Sequence, residues 1–179
     1  MSSIRFSSFP RTEPFPHFLN EVMAVFRENE HAISTVDREK GLKSDAVLAQ
    51  IRDGLVKIGF DAEEGKRADQ KIKRPVFFGE NGVPTVQYEI DAYHPEWQCG
   101  LEIEAGRAWM GNAVYRDLVQ ASIMVQVRYL LLAVPNMYKY NSGGRPTASH
   151  DYDNMISLAD ALYGHSRLRL PYDLVVIGY

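Results

Sequence analysis

The chain has 179 residues, of which 45% are hydrophobic and 11% aromatic, and its formal net charge at pH 7 is −3. This size predicts a single domain over residues 1–179 with a sizeable core, and the single cysteine, Cys99, excludes a disulfide framework. No stretch is apolar enough for a transmembrane span, residues 2–16 lack the apolar region of a signal peptide, and the charge alone does not announce a nucleic-acid binder. We therefore expect a cytoplasmic protein with no membrane partner.

Two amphipathic helices are predicted in the first third of the chain. Hydrophobic residues at helical spacing indicate an N-terminal helix over about 15–30, with prolines at its entry. A second helix begins at Ser44, which has the side chain of a good N-cap, and ends at Gly59 as the C′ residue. Phe60 is expected to pack back on that helix.

A basic run follows the second helix, in residues 65–74, GKRADQKIKR. It contains five cations, which are Lys66, Arg67, Lys71, Lys73 and Arg74. A solvated loop is the ordinary interpretation of such a run. It becomes a candidate for nucleic-acid contact only if an acidic centre lies beside it.

Three strands in a meander are predicted next. Residues 75–78 and 84–93 flank a turn that contains Asn81-Gly82, a strong local signal for a hairpin. A nine-residue connection, 92–100, leads to a third alternating run over 101–104.

A helix and a buried strand complete the predicted core. Asn112 is placed to cap a helix over 113–127, and apolar residues nearly surround this helix, which predicts that it is mostly buried. The short apolar run 129–135 reads as a buried strand. The order strand, helix, strand favours a crossover that makes this last strand parallel in the sheet.

The C-terminal part is predicted as a loop, a helix and a strand. Residues 136–150 are rich in Gly, Ser, Asn and Pro, which indicates a mobile functional loop. Residues 151–165 are predicted to be helical and 173–177 to form a strand. The fold class is therefore α/β, an α+β arrangement with a mixed sheet and flanking helices.

Acidic residues are concentrated on two of the predicted strands. Residues two apart on a strand share a face, so Glu89 with Asp91 and Glu102 with Glu104 can converge on one patch. Their repulsion must be relieved by a cation or by shared protons, and hard oxygen donors without Cys or His indicate Mg²⁺ or Mn²⁺. The alternative is a solvated strand face. No lysine lies between Gln87 and Glu104, and this favours a functional site.

These motifs resemble the PD-(D/E)xK restriction-endonuclease-like superfamily. The matching residues are Ile90-Asp91 and, eleven residues later, Leu101-Glu102-Ile103-Glu104, and the resemblance covers about 44–135. Ile90 replaces the proline of the motif and Glu104 replaces its lysine, which makes the BamHI/BglII-type variant the closest branch.

The resemblance implies a role for each acid. Asp91 and Glu102 would bind the metal, and Glu104 would orient or deprotonate the attacking water. Glu89 is an additional candidate ligand by geometry alone. The implied activity is a Mg²⁺-dependent (or Mn²⁺-dependent) nuclease, an endonuclease acting on DNA.

Several cationic and polar residues are candidates for contact with nucleic acid. Arg116 and Gln120 lie one helical turn apart and could reach the scissile phosphate, although a surface stripe is the alternative for each. Further candidates, beside the basic run, are Tyr138, Lys139, Tyr140 and Arg145. A homodimer is compatible with the sequence.

A second function remains open, namely a catalytically inactive nuclease-like module for nucleic-acid binding or assembly. Glu104 in the lysine position and the weak net charge favour this module. The Asp91 and Glu102 pair favours the enzyme.

Overall fold

The computed structural model describes residues 2–36, 38–106, 108–109 and 111–179, and it shows a mixed α/β fold. The helices in these residues are α1 (Leu19–Glu28), α2 (Glu30–Ile33), α3 (Ser44–Lys57), α4 (Ala113–Ile123) and α5 (Asp151–Gly164). The strands are β1 (Arg5–Phe9), β2 (Asp61–Ala62), β3 (Ile72–Phe78), β4 (Pro84–Ile90), β5 (Ala92–His94), β6 (Cys99–Ile103), β7 (Tyr129–Val134), β8 (Tyr138–Ser142), β9 (Arg145–Ser149) and β10 (Asp173–Gly178). Among the described residues, no helix is both long and apolar enough to cross a membrane.

A mixed sheet forms the centre, with the strand order β1-β10-β7-β6-β5-β2. The three inner strands β10, β7 and β6 run parallel, and β1 and β5 flank them antiparallel. Two further antiparallel ribbons, β3–β4 and β8–β9, have their own pairing. The continuously apolar sequences of β7 and β10 fit strands that are covered on both faces.

Two hydrophobic layers lie on opposite faces of the sheet. Leu101 and Ile103 of β6 pack with α1 and α3 on one face. Leu130 and Leu132 of β7 pack with α4 and α5 on the other. Glu102 is the register partner of Leu132 and therefore faces the α4 side, because partners in a parallel ladder point to the same face.

The N-terminal helix was predicted to begin too early. It begins at Leu19, after Pro14 and Pro16, and ends at Glu28, where the short α2 follows. The edge strand β1 was missed. The second helix is confirmed, although Ser44 is its first residue and Lys43 is the N-cap; Gly59 follows its C-terminus with a φ of 102°.

The hairpin at Asn81-Gly82 is confirmed, since both residues adopt positive φ, 57° and 72°. Its first strand begins at Ile72, earlier than predicted, because this residue pairs with Ile90. The second strand was predicted to be continuous over 84–93, but it breaks at Asp91 into β4 and β5. The predicted connection 92–100 therefore holds β5 and the beginning of β6.

The helix predicted at 113–127 is confirmed, but it is shorter and less buried than predicted. The α4 helix ends at Ile123, and Val119 and Ile123 are 63% and 46% exposed. Asn112 occupies the N-cap position in a left-handed conformation, but its side chain caps no backbone N–H. The strand that follows is confirmed, with β7 parallel to β6.

Residues 136–150 were predicted to be a mobile loop, and this prediction was wrong. Most of the segment forms the β8–β9 hairpin, whose two-residue turn is Gly143-Gly144. Both glycines have positive φ, 58° and 78°, which is the conformation that a tight type I′ hairpin turn requires. The last helix and strand are confirmed as α5 and β10.

Candidate active site

Asp91 lies at the break between β4 and β5, where the chain leaves one ladder and joins another. Its Oδ2 accepts the backbone N–H of Ile103 at 2.8 Å, and its carbonyl accepts the N–H of Glu63 at 2.8 Å. Asp91 is therefore held by β6 on one side and by the residue that follows β2 on the other. These two hydrogen bonds fix the position of the Asp91 carboxyl group at the end of β4.

Glu102 lies on β6 and Glu104 directly follows it, and both side chains face α4. The backbone of Glu104 is held on both sides, since its N–H donates to Ala133 at 2.9 Å and its carbonyl accepts the Tyr179 hydroxyl at 2.6 Å. The Glu104 side chain is only 12% exposed. Both acids are thus positioned by the central part of the sheet.

Helix α4 places an ion pair against these acids. Arg116 donates to Oδ1 of Asp117 through Nε at 3.0 Å and Nη2 at 2.9 Å, and Nη2 also lies 3.2 Å from Oε1 of Glu104. Asp117 is buried, and among the described residues its Oδ2 has no hydrogen-bond partner. A buried carboxylate oxygen without a donor is costly, and a proton or a cation would satisfy it.

An acidic cavity of about 440 Å³ lies between β4, β6 and α4. Its lining includes the carboxyl groups of Glu63, Glu89, Asp91, Glu102 and Asp117, the cations Lys71 and Arg116, and the amides Gln87 and Gln120. Lys71 Nζ lies 2.5 Å from Glu63 Oε1 and 3.7 Å from Glu89 Oε2. Five acids thus face two cations, although the chain as a whole is close to neutral.

Burial and mutual repulsion change the protonation of this cluster. Burial is the main cause that raises the pKa of Asp91 to about 7, and the charges of Glu63 and Asp117 add to it. Burial, followed by the charges of Asp91 and Asp117, also raises the pKa of Glu102 well above its ordinary range.

Glu104 behaves in the same way. Burial, followed by the nearby carboxyl group of Asp117, raises the pKa of Glu104 to about 8, against the opposite effect of Arg116. The cluster therefore holds either protons or positive charge at neutral pH.

The donor chemistry of the cavity fits a hard divalent cation. Carboxylate oxygens are the ligands that Mg²⁺ and Mn²⁺ prefer, and the unpartnered Oδ2 of Asp117 adds a donor that faces no protein N–H. Within the described ranges, no group of three or more Asp, Glu, His or Cys side chains is arranged so that it could hold a metal ion.

The structure separates the other predicted site residues into two groups. Glu89 lines the cavity, but its side chain is 55% exposed and it lies beside Lys71. Arg116, Gln120 and Lys71 also line the cavity. The remaining candidates, namely Lys66, Arg67, Lys73, Arg74, Lys139 and Arg145, do not line it.

Most of these remaining cations have other partners. Lys66 pairs with Asp45 and Arg67 pairs with Asp69, both on the surface. Arg74 stacks over the ring of Tyr93 at 3.8 Å, so it has a structural role.

Two residues of the cavity were missed by the sequence analysis. Glu63 follows β2, a two-residue strand without an alternation pattern, so nothing in the sequence places it near Asp91. Asp117 lies in α4, where it looked like a polar interruption of an apolar helix. Its position one residue after Arg116 was the only available signal.

The sequence matches no protein-family model, and no curated protein sequence is significantly similar to it. The interpretation of the cavity therefore depends on its geometry and chemistry.

Proposed function

We propose that this protein is a Mg²⁺-dependent phosphodiesterase that hydrolyses nucleic acid, with DNA as the expected substrate. The observation that carries the proposal is the acidic cavity, in which the partly buried acids Asp91 and Glu102 lie with Arg116. Concentrating buried carboxyl groups costs free energy, and proteins retain such clusters chiefly where they serve binding or catalysis.

Asp91 and Glu102 would hold the cation, and Asp117 is placed to assist through its unpartnered Oδ2. A bound Mg²⁺ would lower the pKa of water and stabilise the negative charge that develops on the phosphate. The backbone N–H of Ile103 keeps the Asp91 carboxyl oriented toward the cavity without neutralising it.

Glu104 would orient the attacking water and accept its proton. A pKa of about 8 makes it a stronger base than an ordinary carboxylate, while the Arg116 side chain 3.2 Å away favours its ionised form. Positive charge entering the cavity lowers this pKa further, which couples the protonation of Glu104 to the occupancy of the site.

Lys71 and Arg116 would bind the phosphodiester. Both side chains border the cavity. Burial lowers the pKa of Lys71, but the hydrogen bond to Glu63 and the charges of Glu63, Glu89 and Asp91 together raise it by more. Lys71 therefore stays cationic. Gln120, one turn from Arg116, offers an amide donor on the same side.

The order of elements supports membership of the restriction-endonuclease-like superfamily as part of the proposal. The succession of β3, β4 with β5, and β6 leads into α4 and then into β7, which lies parallel to β6. Asp91 directly follows β4, and Glu102 and Glu104 lie on β6 and directly after it, which supports this part of the proposal.

A second candidate is a catalytically inactive nuclease-like module that binds nucleic acid. The ion pair between Arg116 and Glu104 favours it. A glutamate that binds a guanidinium and has a raised pKa can serve only to connect β6 to α4, without a role in catalysis. This module would bind nucleic acid without cleaving it.

Cleavage assays separate the two candidates. The purified protein is incubated with supercoiled plasmid, single-stranded DNA and RNA in Mg²⁺, Mn²⁺ or EDTA. We expect metal-dependent cleavage that Asp91→Asn abolishes and that Asp45→Asn, which changes an exposed acid paired with Lys66, leaves unchanged. Absence of cleavage on every substrate, or equal cleavage by Asp91→Asn, would reject the enzyme.

A further inference from the structure

The β8–β9 hairpin carries two tyrosines on one face. Tyr138 and Tyr140 are two residues apart on β8, so their side chains point the same way. Their ring centroids are 6.3 Å apart with an interplanar angle of 25°, which is a stacked arrangement. Both rings are partly exposed. The hairpin therefore offers an aromatic surface that the core does not use.

This aromatic surface contacts the chain just beyond Glu104, at Gly106. The ring of Tyr138 lies so close to Gly41 and Gly106 that a Cβ at either glycine would overlap it. Gly106 is two residues beyond Glu104 in the chain. Small residues thus allow the hairpin to seat directly against the end of the segment that carries the catalytic candidate.

A pocket of about 590 Å³ opens along the tyrosines, between the hairpin and residues 39–40. Its lining includes the acid Glu39 as well as Lys40, Tyr138, Lys139, Tyr140, Asn141 and Thr147. Lys139 Nζ donates to the carbonyl of Val36 at 2.7 Å, which fastens the hairpin to this part of the chain. The Lys40 side chain is exposed at the rim.

We propose that this pocket, here called the tyrosine pocket, binds an unpaired nucleotide of a single-stranded nucleic acid. The base would stack on Tyr140, and Lys40 would face the backbone phosphate. The choice of nucleic acid rests on the proposed function of the acidic cavity. The chemistry itself is general, because aromatic faces beside lysines bind bases and phosphates with little sequence preference.

The geometry favours a single strand over a duplex. The face of Tyr140 can stack only on a base that has left its neighbours, because bases inside a duplex already stack on one another. A strand bound in the tyrosine pocket would continue past Gly106 toward Glu104. The pocket would therefore hold the substrate strand so that its scissile bond lies near Glu104.

Binding of a fluorescein-labelled oligothymidine, measured by anisotropy in EDTA, tests the proposal without any cleavage. Tyr140→Ala should weaken binding roughly 5- to 150-fold, the range expected for loss of one base stack, whereas Tyr140→Phe should retain the wild-type affinity. Tyr115→Ala removes another partly exposed tyrosine, on α4, and should change nothing. Lys40→Ala should reduce the salt dependence of binding by about one phosphate contact.

The same assay defines the outcomes that overturn the proposal. Equal affinities of the wild type and Tyr140→Ala for the oligothymidine would overturn it, as would tighter binding of a duplex of the same length. If the oligothymidine binds through Tyr140 but no cleavage occurs with Mg²⁺, the tyrosine pocket stands and the proposed nuclease fails. If cleavage occurs while binding is independent of Tyr140, only the tyrosine pocket fails.

Discussion

The Oδ2 atom of Asp91 accepts the backbone N–H of Ile103 at 2.8 Å, so a carboxyl group from one strand is fastened to the next strand between Glu102 and Glu104. This bond holds Asp91 beside Glu102 and Glu104, which lie on β6 and directly after it. The predictions below depend on this arrangement.

Asp91→Asn should separate the structural role of Asp91 from its charge. The amide oxygen can still accept the Ile103 N–H, so the fold should be retained, and a buried acid is removed. Metal binding and cleavage should both be lost, because a charged hard ligand is missing. Calorimetric titration with Mn²⁺, a cleavage assay and a thermal melt check the three parts. Retention of metal affinity in a folded Asp91→Asn protein would contradict the assignment.

Divalent cations should stabilise the wild-type protein. Metal binding to the native state relieves the repulsion among Asp91, Glu102 and Asp117, and at a concentration about 100 times the Kd it contributes ~2.7 kcal/mol. Thermal melts across a Mg²⁺ or Mn²⁺ titration give the shift in Tm. The Tm of Glu102→Gln should shift far less with added metal, while the Tm of Asp45→Asn, at an exposed ion pair, should shift like that of the wild type. An unchanged Tm for the wild type would count against a native-state site.

The metal-free protein should lose stability as the pH rises. The pKa values of Asp91 and Glu104, raised by burial to about 7 and about 8, lie above the ~4 of these groups in an unfolded chain. The folded state therefore binds more protons between these limits, so the free energy of unfolding falls as the pH rises through this window. Urea unfolding in EDTA at a series of pH values measures the slope.

Glu104→Gln is the variant that tests this slope. It removes one of the groups with a raised pKa, so the slope above pH 7 should decrease, while Glu89→Gln, at a largely exposed side chain, should leave it unchanged. A pH-independent stability of the metal-free wild type across this range would show that the acids are not buried as described.

The acids on β6 could be predicted because their signal is local. Strand alternation alone places Glu102 and Glu104 on one face, opposite Leu101 and Ile103, and the structure agrees. The break at Asp91 could not be predicted, because it depends on the Ile103 N–H of another strand. The direction of the Asp91 side chain therefore depends on tertiary contacts, which a local sequence pattern does not contain.

The missed features have the same physical origin. Glu63 reaches the cavity from the residue that follows the two-residue β2, and Asp117 reaches it through the packing of α4 against the sheet, so no local pattern places either acid there. The hairpin after β7 was mistaken for a loop because Gly143-Gly144 and the neighbouring polar residues suggested flexibility. In fact, the paired glycines supply the positive φ that a tight turn requires.

Lys71→Met should weaken cleavage more than loss of a surface charge does. The Lys71 side chain is only 19% exposed and faces the cavity, where its charge lowers the pKa of Asp91 and, under the proposed function, would meet the phosphate. The expected loss is on the order of 10²-fold, as for removal of one charge-stabilising donor. Lys66→Met is the matched control, since that side chain is 85% exposed and its effect should disappear at high salt. Similar losses for the two variants would place Lys71 outside the site.

Glu104→Gln should separate catalysis from metal binding. If Asp91 and Glu102 hold the cation and Glu104 handles the proton of the water, then the glutamine variant should retain most of the Mn²⁺ affinity and lose roughly 10²–10⁴-fold in cleavage rate. The amide can still accept a hydrogen bond from Arg116, so the position of α4 should be kept. Metal titration and single-turnover cleavage measured on the same preparation give both quantities. A parallel loss of affinity and rate would make Glu104 a metal ligand, and an unchanged rate would leave it as a structural partner of Arg116.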